Sequence, residues 1–273
     1  MHLGDEGVPS SQRELKAERL RQAAGAILAS AHPTSAASIF SAGGVGAGAW
    51  LGLPHAPGHF LSDAQCRVAV RTRLNLDIPG HAGTCAHRRR DGTPCGAALD
   101  PKGVHARSCC FGGWRVRKHE TVKHIVGAWL EEQGCQVEYE QIVPTATPGR
   151  PEARIDLVVY GPTLGAPALL DTTIASALSV EALRAGSPAR PGVAAELAEQ
   201  GKRRDYPNIA IVPIALEDHG RLGAPALAFF RRVAPAGLRE RSLALRGLFQ
   251  ALGAGLQRVG ADAVLTALPP PAG

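Results

Sequence analysis

Two short segments of this chain combine the apolar composition of a buried β-strand with one central aspartate. They are ARIDLVVY (153–160), which carries Asp156, and PALLDTTIA (167–175), which carries Asp171. A carboxylate between apolar neighbours is costly to bury unless something compensates its charge. If the two strands are neighbours, both aspartates can converge on one divalent cation, because hard oxygen ligands suit Mg²⁺ or Mn²⁺. The alternative is a pair of capped or salt-bridged aspartates near strand ends.

The pattern around these segments predicts one sheet with helices on its faces. Alternating apolar residues indicate strands, and apolar residues at helical spacing indicate amphipathic helices. Such an order of elements is typical of an α+β domain, because one sheet can bury all of its helices. The predicted elements are a helix at 118–134, strands at 136–143, 153–160 and 167–175, a helix at 192–205, a strand at 208–216, and helices at 223–233 and 236–257.

Three other side chains in this region are candidates for the same site. His119 lies near the start of the 118–134 helix, in line with its apolar stripe. The alternative to a site residue is a histidine packed in the core. Glu140 lies in the first predicted strand as a third carboxylate, or else as the partner of an arginine. Lys202, in the 192–205 helix, could stabilise the charge of a phosphoryl transition state. Its alternative is a solvated surface lysine.

The charge of the chain favours a polyanionic partner. The formal net charge is +6, and much of the excess lies between residues 85 and 124. No apolar run approaches the roughly 20 residues of a membrane span, and we see no signal peptide at the N-terminus. The candidate phosphate-contacting residues are Arg88, Arg89, Arg90, Arg107, Arg115, Arg117 and Lys118, with ordinary solvated surface charge as the alternative.

A cysteine and histidine cluster precedes the predicted sheet. Its spacing is Cys85-x9-Cys95-x9-His105-x3-Cys109. The segment from 80 to 113 has no regular spacing of apolar residues that would predict a helix or a strand, so it needs a metal ion or another link to hold it together. Three thiolates and one imidazole could close a tetrahedral structural zinc site, although the first spacing is wider than usual. His87 and Cys110 are competing ligands, and reduced buried cysteines are the alternative to a metal site.

Taken together, these residues resemble the restriction-enzyme-like nuclease core, the PD-(D/E)XK superfamily. More closely, they resemble the endonuclease domain that follows the reverse transcriptase in site-specific non-LTR retrotransposons. The resemblance covers about residues 45 to 235. Thr173 and Ile155 depart from it, since the family pattern has a lysine two residues after the second carboxylate and a proline before the first. The matching positions are Cys85, Cys95, His105 and Cys109, then Lys118 with His119, then Asp156, Asp171, Lys202 and Tyr206.

The resemblance implies a metal-dependent endonuclease that nicks DNA. In that family-based assignment Asp156 and Asp171 bind Mg²⁺ or Mn²⁺, Lys202 steadies the scissile phosphate, and His119 positions substrate or water. The cysteine cluster becomes a structural zinc knuckle. DNA, with RNA as an alternative, is the expected partner, a reverse transcriptase domain could precede the chain in a longer parent, and the expected location is nuclear. The competing interpretation is an inactive zinc-dependent nucleic-acid-binding module or a decayed retroelement fragment.

The same interpretation divides the chain into four regions. Capping-box patterns at Ser11 and Ser62 predict the starts of two helices before the cysteine cluster. The regions are a helical and low-complexity connector (1–60), a helix with the zinc knuckle (61–117), a restriction-like αβββαβ core with C-terminal helices (118–257), and a disordered tail (258–273). Within the connector, residues 36–60 are predicted to be irregular.

Overall fold

In the computed structural model, which describes residues 11–54, 56–144 and 146–268, four strands form one mixed sheet in chain order. The first three strands pair antiparallel, and the fourth lies parallel to the third. Each strand lies within about three residues of its predicted bounds. The strands are β1 (Gln136–Ile142), β2 (Arg154–Tyr160), β3 (Ala168–Ala175) and β4 (Ile211–Glu217).

Helices pack on both faces of this sheet in the described part of the chain, which is therefore an α+β protein. The crossover between the parallel strands β3 and β4 contains two helices, as such a connection requires. The helices are α1 (Gln12–Ser30), α2 (Pro33–Ala42), α3 (Asp63–Arg73), α4 (Val104–Ser108), α5 (Trp114–Glu132), α6 (Val180–Arg184), α7 (Val193–Asp205), α8 (Ala224–Val233) and α9 (Leu238–Leu265).

The main hydrophobic core lies on one face of the sheet. Leu157 on β2 and Leu170 on β3 are paired across the two strands and fully buried, as are Val122, Leu130 and Phe230 from the covering helices. Helices α5, α8 and α9 supply that cover. Because side chains alternate along a strand, the neighbours of these leucines face the other side. Helix α7 packs on that other side against β3 and β4.

The N-terminal region is more helical than the sequence predicted. Both capping boxes are confirmed, at the starts of α1 and α3. The segment 36–60, predicted to be irregular, instead contains most of α2 and two short 3-10 turns. Helix α2 forms because Pro33 occupies its first turn, where a missing amide hydrogen costs nothing, and its alanines are buried. Residues 1–10 of the predicted connector lie outside the described residues.

The C-terminal helix corrects two predicted boundaries. Helix α9 continues to Leu265, so the prediction of disorder from residue 258 is wrong for 258–268, and residues 269–273 lie outside the described residues. Ala261 and Val264 are buried against the cysteine-rich segment, whereas Leu248 belongs to the core beside the sheet. One helix therefore spans both parts, and the expected boundary at 257 does not separate them.

Close packing of α9 depends on glycine. A Cβ at Gly253 would lie 3.0 Å from the ring of Trp50, and one at Gly255 would lie 2.7 Å from Ile125. Because neither position has room for a side chain, α9 can lie directly against α5 and the 3-10 turn that carries Trp50.

Candidate functional site

Asp156 and Asp171 lie opposite each other on adjoining antiparallel strands. The register pairs Leu157 with Leu170, so the next position places the two aspartates side by side on the face away from the main core. Both are buried, at 7% and 2% exposed. The arrangement agrees with the sequence-based expectation that the two carboxylates share a face.

The Asp156 carboxylate is held through one oxygen. Its Oδ2 accepts hydrogen bonds from the Thr172 amide and the Thr172 hydroxyl, both at 2.6 Å, and lies 3.0 Å from His119 Nε2. Burial alone would raise the pKa of Asp156, but the bonds from His119 and Thr172 outweigh burial and lower it. Among the described residues every hydrogen bond to Asp156 ends on Oδ2, so Oδ1 keeps its acceptor capacity.

The Asp171 carboxylate has a different environment. Lys202 Nζ on α7 lies 2.5 Å from the buried Oδ2 and forms an ion pair with it. The Tyr206 hydroxyl lies 3.4 Å from Oδ1. Burial and the nearby Asp156 charge raise the pKa of Asp171 against the lowering effect of Lys202. The two aspartates thus have pKa values displaced in opposite directions, which is typical of functional carboxylate pairs.

His119 connects the first helix of the sheet region to this pair. Its Nε2 lies 2.9 Å from Thr172 Oγ1 as well as beside Asp156, and its Nδ1 lies 3.3 Å from Glu120 Oε1. The bond to Asp156 raises the pKa of His119 above its usual value, although burial opposes this. The ring is therefore held between two carboxylates, and sequence reasoning named only one of them.

Glu140 does not join the two aspartates directly. It lies in β1 opposite Asp156 and pairs with Lys123 on α5. Its backbone has a φ of +54°, in the left-handed region that favours glycine. Glu140 is therefore neither a third carboxylate of the pair nor the partner of an arginine, since it pairs with a lysine.

An open cavity of about 610 Å³ adjoins the carboxylates. Its lining includes the cationic groups of Lys202 and Arg115, together with His119 and the residues from Thr172 to Ser176. Asp156 and Asp171 do not themselves line the cavity, but His119, Thr172 and Lys202, which contact them, do. Such a cleft can admit a phosphate group next to a cation bound by the aspartates.

The cysteine and histidine cluster is assembled as the spacing indicated. The ligand atoms of its four members all lie within 4.8 Å of one another, so they could hold a metal ion. Burial raises the pKa of the Cys85 thiol and raises that of Cys109 to about 12, an environment that disfavours thiolates unless a cation lies among them. The members are Cys85, Cys95, His105 and Cys109.

Local structure explains the wide spacing of the first two cysteines. Cys85 and Cys95 lie on the two arms of a short antiparallel hairpin, where the Cys85 amide donates to the Ala97 carbonyl and the Cys95 amide donates to the His87 carbonyl. The competing ligands are placed elsewhere. His87 Nε2 lies 2.8 Å from the Ala263 carbonyl, and Cys110 is exposed.

The basic residues predicted to contact phosphates fall into two groups. Arg107 and Lys118 are buried, at 7% and 4% exposed, and both are bound to Asp218. Their assignment to an exposed phosphate-binding surface was wrong, because internal partners already compensate their charge. Those that are exposed are Arg88, Arg89, Arg90, Arg115 and Arg117.

Comparison with known proteins does not identify this chain. No protein-family model matches it, and no curated protein matches it. Within the described residues, no helix has the length and apolar character needed to cross a membrane. Function is therefore argued from the site itself.

Proposed function

We propose that this chain is a metal-dependent endonuclease of the restriction-like superfamily that hydrolyses a phosphodiester bond of DNA. The observation that carries the proposal is the placement of Asp156 and Asp171 side by side on adjoining strands, with Lys202 and His119 against them. The order α5-β1-β2-β3-α7-β4 supports it, because it follows the αβββαβ order of that core apart from the short helix α6.

The residues present suit a hard divalent cation. Asp171 Oδ2 is paired with Lys202, while Asp171 Oδ1 has the Tyr206 hydroxyl at 3.4 Å, and Asp156 Oδ1 keeps its acceptor capacity while its Oδ2 is fixed. The two Oδ1 atoms are therefore the candidate ligands. These two oxygens would hold Mg²⁺ or Mn²⁺. When bound, the ion would polarise a phosphate and lower the pKa of a coordinated water.

The chain's own side chains would orient the substrate. Lys202 comes from α7 and lies beside the carboxylate pair. It would take the place of the lysine that the family pattern has at position 173, where this chain has a threonine. A lysine there would stabilise charge on the scissile phosphate. His119, held at both ring nitrogens, would fix the position of the attacking water or of a phosphate oxygen. Tyr206, bonded to the Arg154 carbonyl at 2.9 Å, would keep the end of α7 against β2.

The cysteine-rich segment fits a structural zinc knuckle. Three thiolates and one imidazole would complete a tetrahedral zinc shell without an open position, so this ion would serve folding and not hydrolysis. The exposed arginines on the hairpin, Arg88, Arg89 and Arg90, would contact nucleic-acid phosphates. Strand nicking for a retroelement, a reverse transcriptase in a longer parent chain and a nuclear location belong to the same proposal.

A nicking assay tests the proposal. Purified protein with Mg²⁺ should convert supercoiled plasmid to the open circle, and Asp156→Ala and Asp171→Ala should each abolish the conversion. Asp77→Asn, an exposed aspartate outside the site, is the matched control and should nick like the parent. Equal nicking by the parent and by Asp156→Ala would remove the nuclease assignment.

A second function is favoured by one observation. Thr173 stands where the superfamily pattern has a lysine, and Lys202 already forms an ion pair with Asp171. If that pair excludes a metal ion, the chain would bind nucleic acid through its basic, cysteine-rich segment without cleaving it. Salt-dependent DNA binding in the absence of nicking and of Mg²⁺ binding would support this alternative.

A further inference from the structure

A buried lysine links the outer edge of the sheet to the histidine of the carboxylate site. Lys123 on α5 is only 3% exposed, although lysine is rarely buried without a partner. Its ammonium lies 2.8 Å from each carboxylate oxygen of Glu120 and also contacts Glu140. Burial alone would lower the pKa of Lys123, but the hydrogen bonds that its ammonium donates to Glu120 and Glu140 raise it above its usual value. The ammonium is therefore held as a cation between two carboxylates.

One of these carboxylates reaches the candidate site. Glu120 Oε1, which accepts from Lys123, also lies 3.3 Å from His119 Nδ1. On the other side of the ring, His119 Nε2 faces Asp156. A continuous path of polar contacts thus leads from Lys123 to the aspartate, and each contact in it is within hydrogen-bonding distance.

The other carboxylate is held on a strained backbone. The β1–β2 register pairs Tyr139 with Leu157 and Gln141 with Ile155, so Glu140 lies opposite Asp156 but outside the ladder. Its φ of +54° is unfavourable for a glutamate. Strain of this kind persists only where the surroundings enforce it, and it is concentrated at functional sites. The contact with Lys123 is the interaction in the described residues that engages the Glu140 side chain.

We propose that Lys123 is a positioning residue of the carboxylate site, which fixes the imidazole of His119 through Glu120 and is itself anchored by Glu140. This inference rests on the proposed nuclease function for its kinetic consequence, but not for its structural one. Without the ammonium, Glu120 and Glu140 would repel each other, and Glu120 would turn toward solvent. His119 would then lose the contact that restrains its Nδ1.

Two substitutions test the proposal. Lys123→Met removes the charge but keeps the length of the side chain, and Lys123→Arg keeps the charge. The fold should tolerate both, because the Glu120 and Glu140 side chains are 42% and 41% exposed and can be hydrated. Lys16→Met, at an exposed lysine on α1, is the matched control. Urea unfolding of each variant identifies any that fail to fold.

The first measurement does not depend on activity. Imidazole ¹⁵N signals at one fixed pH, with His119 assigned from the His119→Asn spectrum, should shift in Lys123→Met and be restored in Lys123→Arg. A His119 signal that stays at its parental position in a folded Lys123→Met protein would overturn the proposal.

The second measurement is Mg²⁺-dependent nicking. Lys123→Met should lower kcat by about 10-fold while changing KM for DNA little, as is usual for residues that orient groups at metal sites. Lys123→Arg should recover most of the loss, whereas a purely structural role would not give this rescue. If the parent protein does not nick at all, the proposed function fails, and the ¹⁵N signals still decide whether Lys123 positions His119.

Discussion

The buried ammonium of Lys118 donates a hydrogen bond to the main-chain carbonyl of Arg107, 2.8 Å away. Lys118 lies on α5 beside His119, whereas Arg107 lies on α4 between two members of the cysteine and histidine cluster. Both also bind Asp218, Lys118 at Oδ1 and Arg107 at the main-chain carbonyl. The cysteine and histidine cluster and the carboxylate site are therefore joined through one buried charged junction.

The first prediction concerns the contribution of this junction to the free energy of unfolding. Burial raises the pKa of Asp218, but Lys118 and Arg107 outweigh it and hold that pKa at about 2. Lys118→Met should lower the free energy of unfolding by about 3 kcal/mol, because it leaves a carboxylate with reduced compensation. Urea denaturation measures this, and Arg115→Met, one turn away and exposed, should cost much less. If the double variant Lys118→Met/Asp218→Asn loses as much unfolding free energy as the two single variants added together, Lys118 and Asp218 are not directly coupled.

A second prediction concerns acid sensitivity. Burial, and after it the nearby Arg107 charge, lower the pKa of His219 to about 3. The folded protein thus keeps His219 neutral, while the unfolded chain takes up a proton near pH 6.5. The contribution of His219 to the free energy of unfolding is fully present above about pH 6.5 and is lost as the pH falls toward about 3. Between these limits it should fall by about 1.4 kcal/mol per pH unit.

Urea denaturation at several pH values between about pH 7 and pH 4 checks this dependence. His219→Gln cannot take up the proton, so its stability should depend less steeply on pH than that of the parent. Protonation of the cysteine and histidine cluster affects both proteins alike and cancels in the comparison. Parallel curves would show that His219 is not the group responsible.

Much of the sheet region could be predicted because its signals are local. Apolar alternation in β2 and β3 assigns Asp156 and Asp171 each to one side of its own strand, and the register between the two strands then places them side by side on the same face. The same reasoning could not find Thr172, whose hydroxyl and amide both fix Asp156. A threonine in a strand is common, and its role arises only from the strand register.

Other parts of the site depended on long-range packing. The sequence around Arg107 and Lys118 is typical of exposed basic residues. Asp218, which compensates their charge in the fold, lies about 100 residues further along the chain. Glu120 and Lys123 are spaced like an ordinary ion pair on a helix surface. Their sequence gave no sign that Lys123 would be buried against Glu140 on β1. Polar clusters of this kind are assembled by tertiary contacts, which hydrophobic periodicity does not report.

A third prediction tests the metal cluster. Cys85→Ser should lower the zinc content of purified protein and reduce its melting temperature, because Cys85 also packs in the small core formed with α3 and α9. Cys110→Ser, at the exposed neighbouring cysteine, should leave both quantities unchanged. Elemental analysis and thermal unfolding provide the measurements. A chelator that removes zinc without altering the melting temperature would exclude a structural role for the ion.

A fourth prediction concerns the exposed hairpin arginines. Replacing Arg88, Arg89 and Arg90 together by alanine should weaken DNA binding and reduce the slope of log Kd against log salt. The slope should change by up to about 3, since each phosphate contact contributes about 0.9. Fluorescence anisotropy across a salt series measures it. Three exposed arginines elsewhere, Arg184, Arg231 and Arg239, replaced in the same way should change the slope less. Equal changes would indicate a general effect of net charge.

The last prediction isolates the hydroxyl of Thr172. Thr172→Val keeps the shape of this fully buried side chain but removes the oxygen that lies 2.6 Å from Asp156 Oδ2 and 2.9 Å from His119 Nε2. The main-chain amide of residue 172 still holds Asp156, so the cost in stability should be about 1 kcal/mol. Mg²⁺-dependent nicking should fall by about 10-fold, because both Asp156 and His119 lose a restraint.

Thr172→Ser is the matched control. It keeps the hydroxyl and removes only a methyl group, so its nicking rate should stay near that of the parent even if its stability falls slightly. Measuring kcat and the Mg²⁺ concentration for half-maximal rate in both variants separates loss of metal affinity from loss of orientation. A Thr172→Val protein that nicks as fast as Thr172→Ser would show that the amide and His119 suffice to hold Asp156, and that the hydroxyl has no part in the reaction.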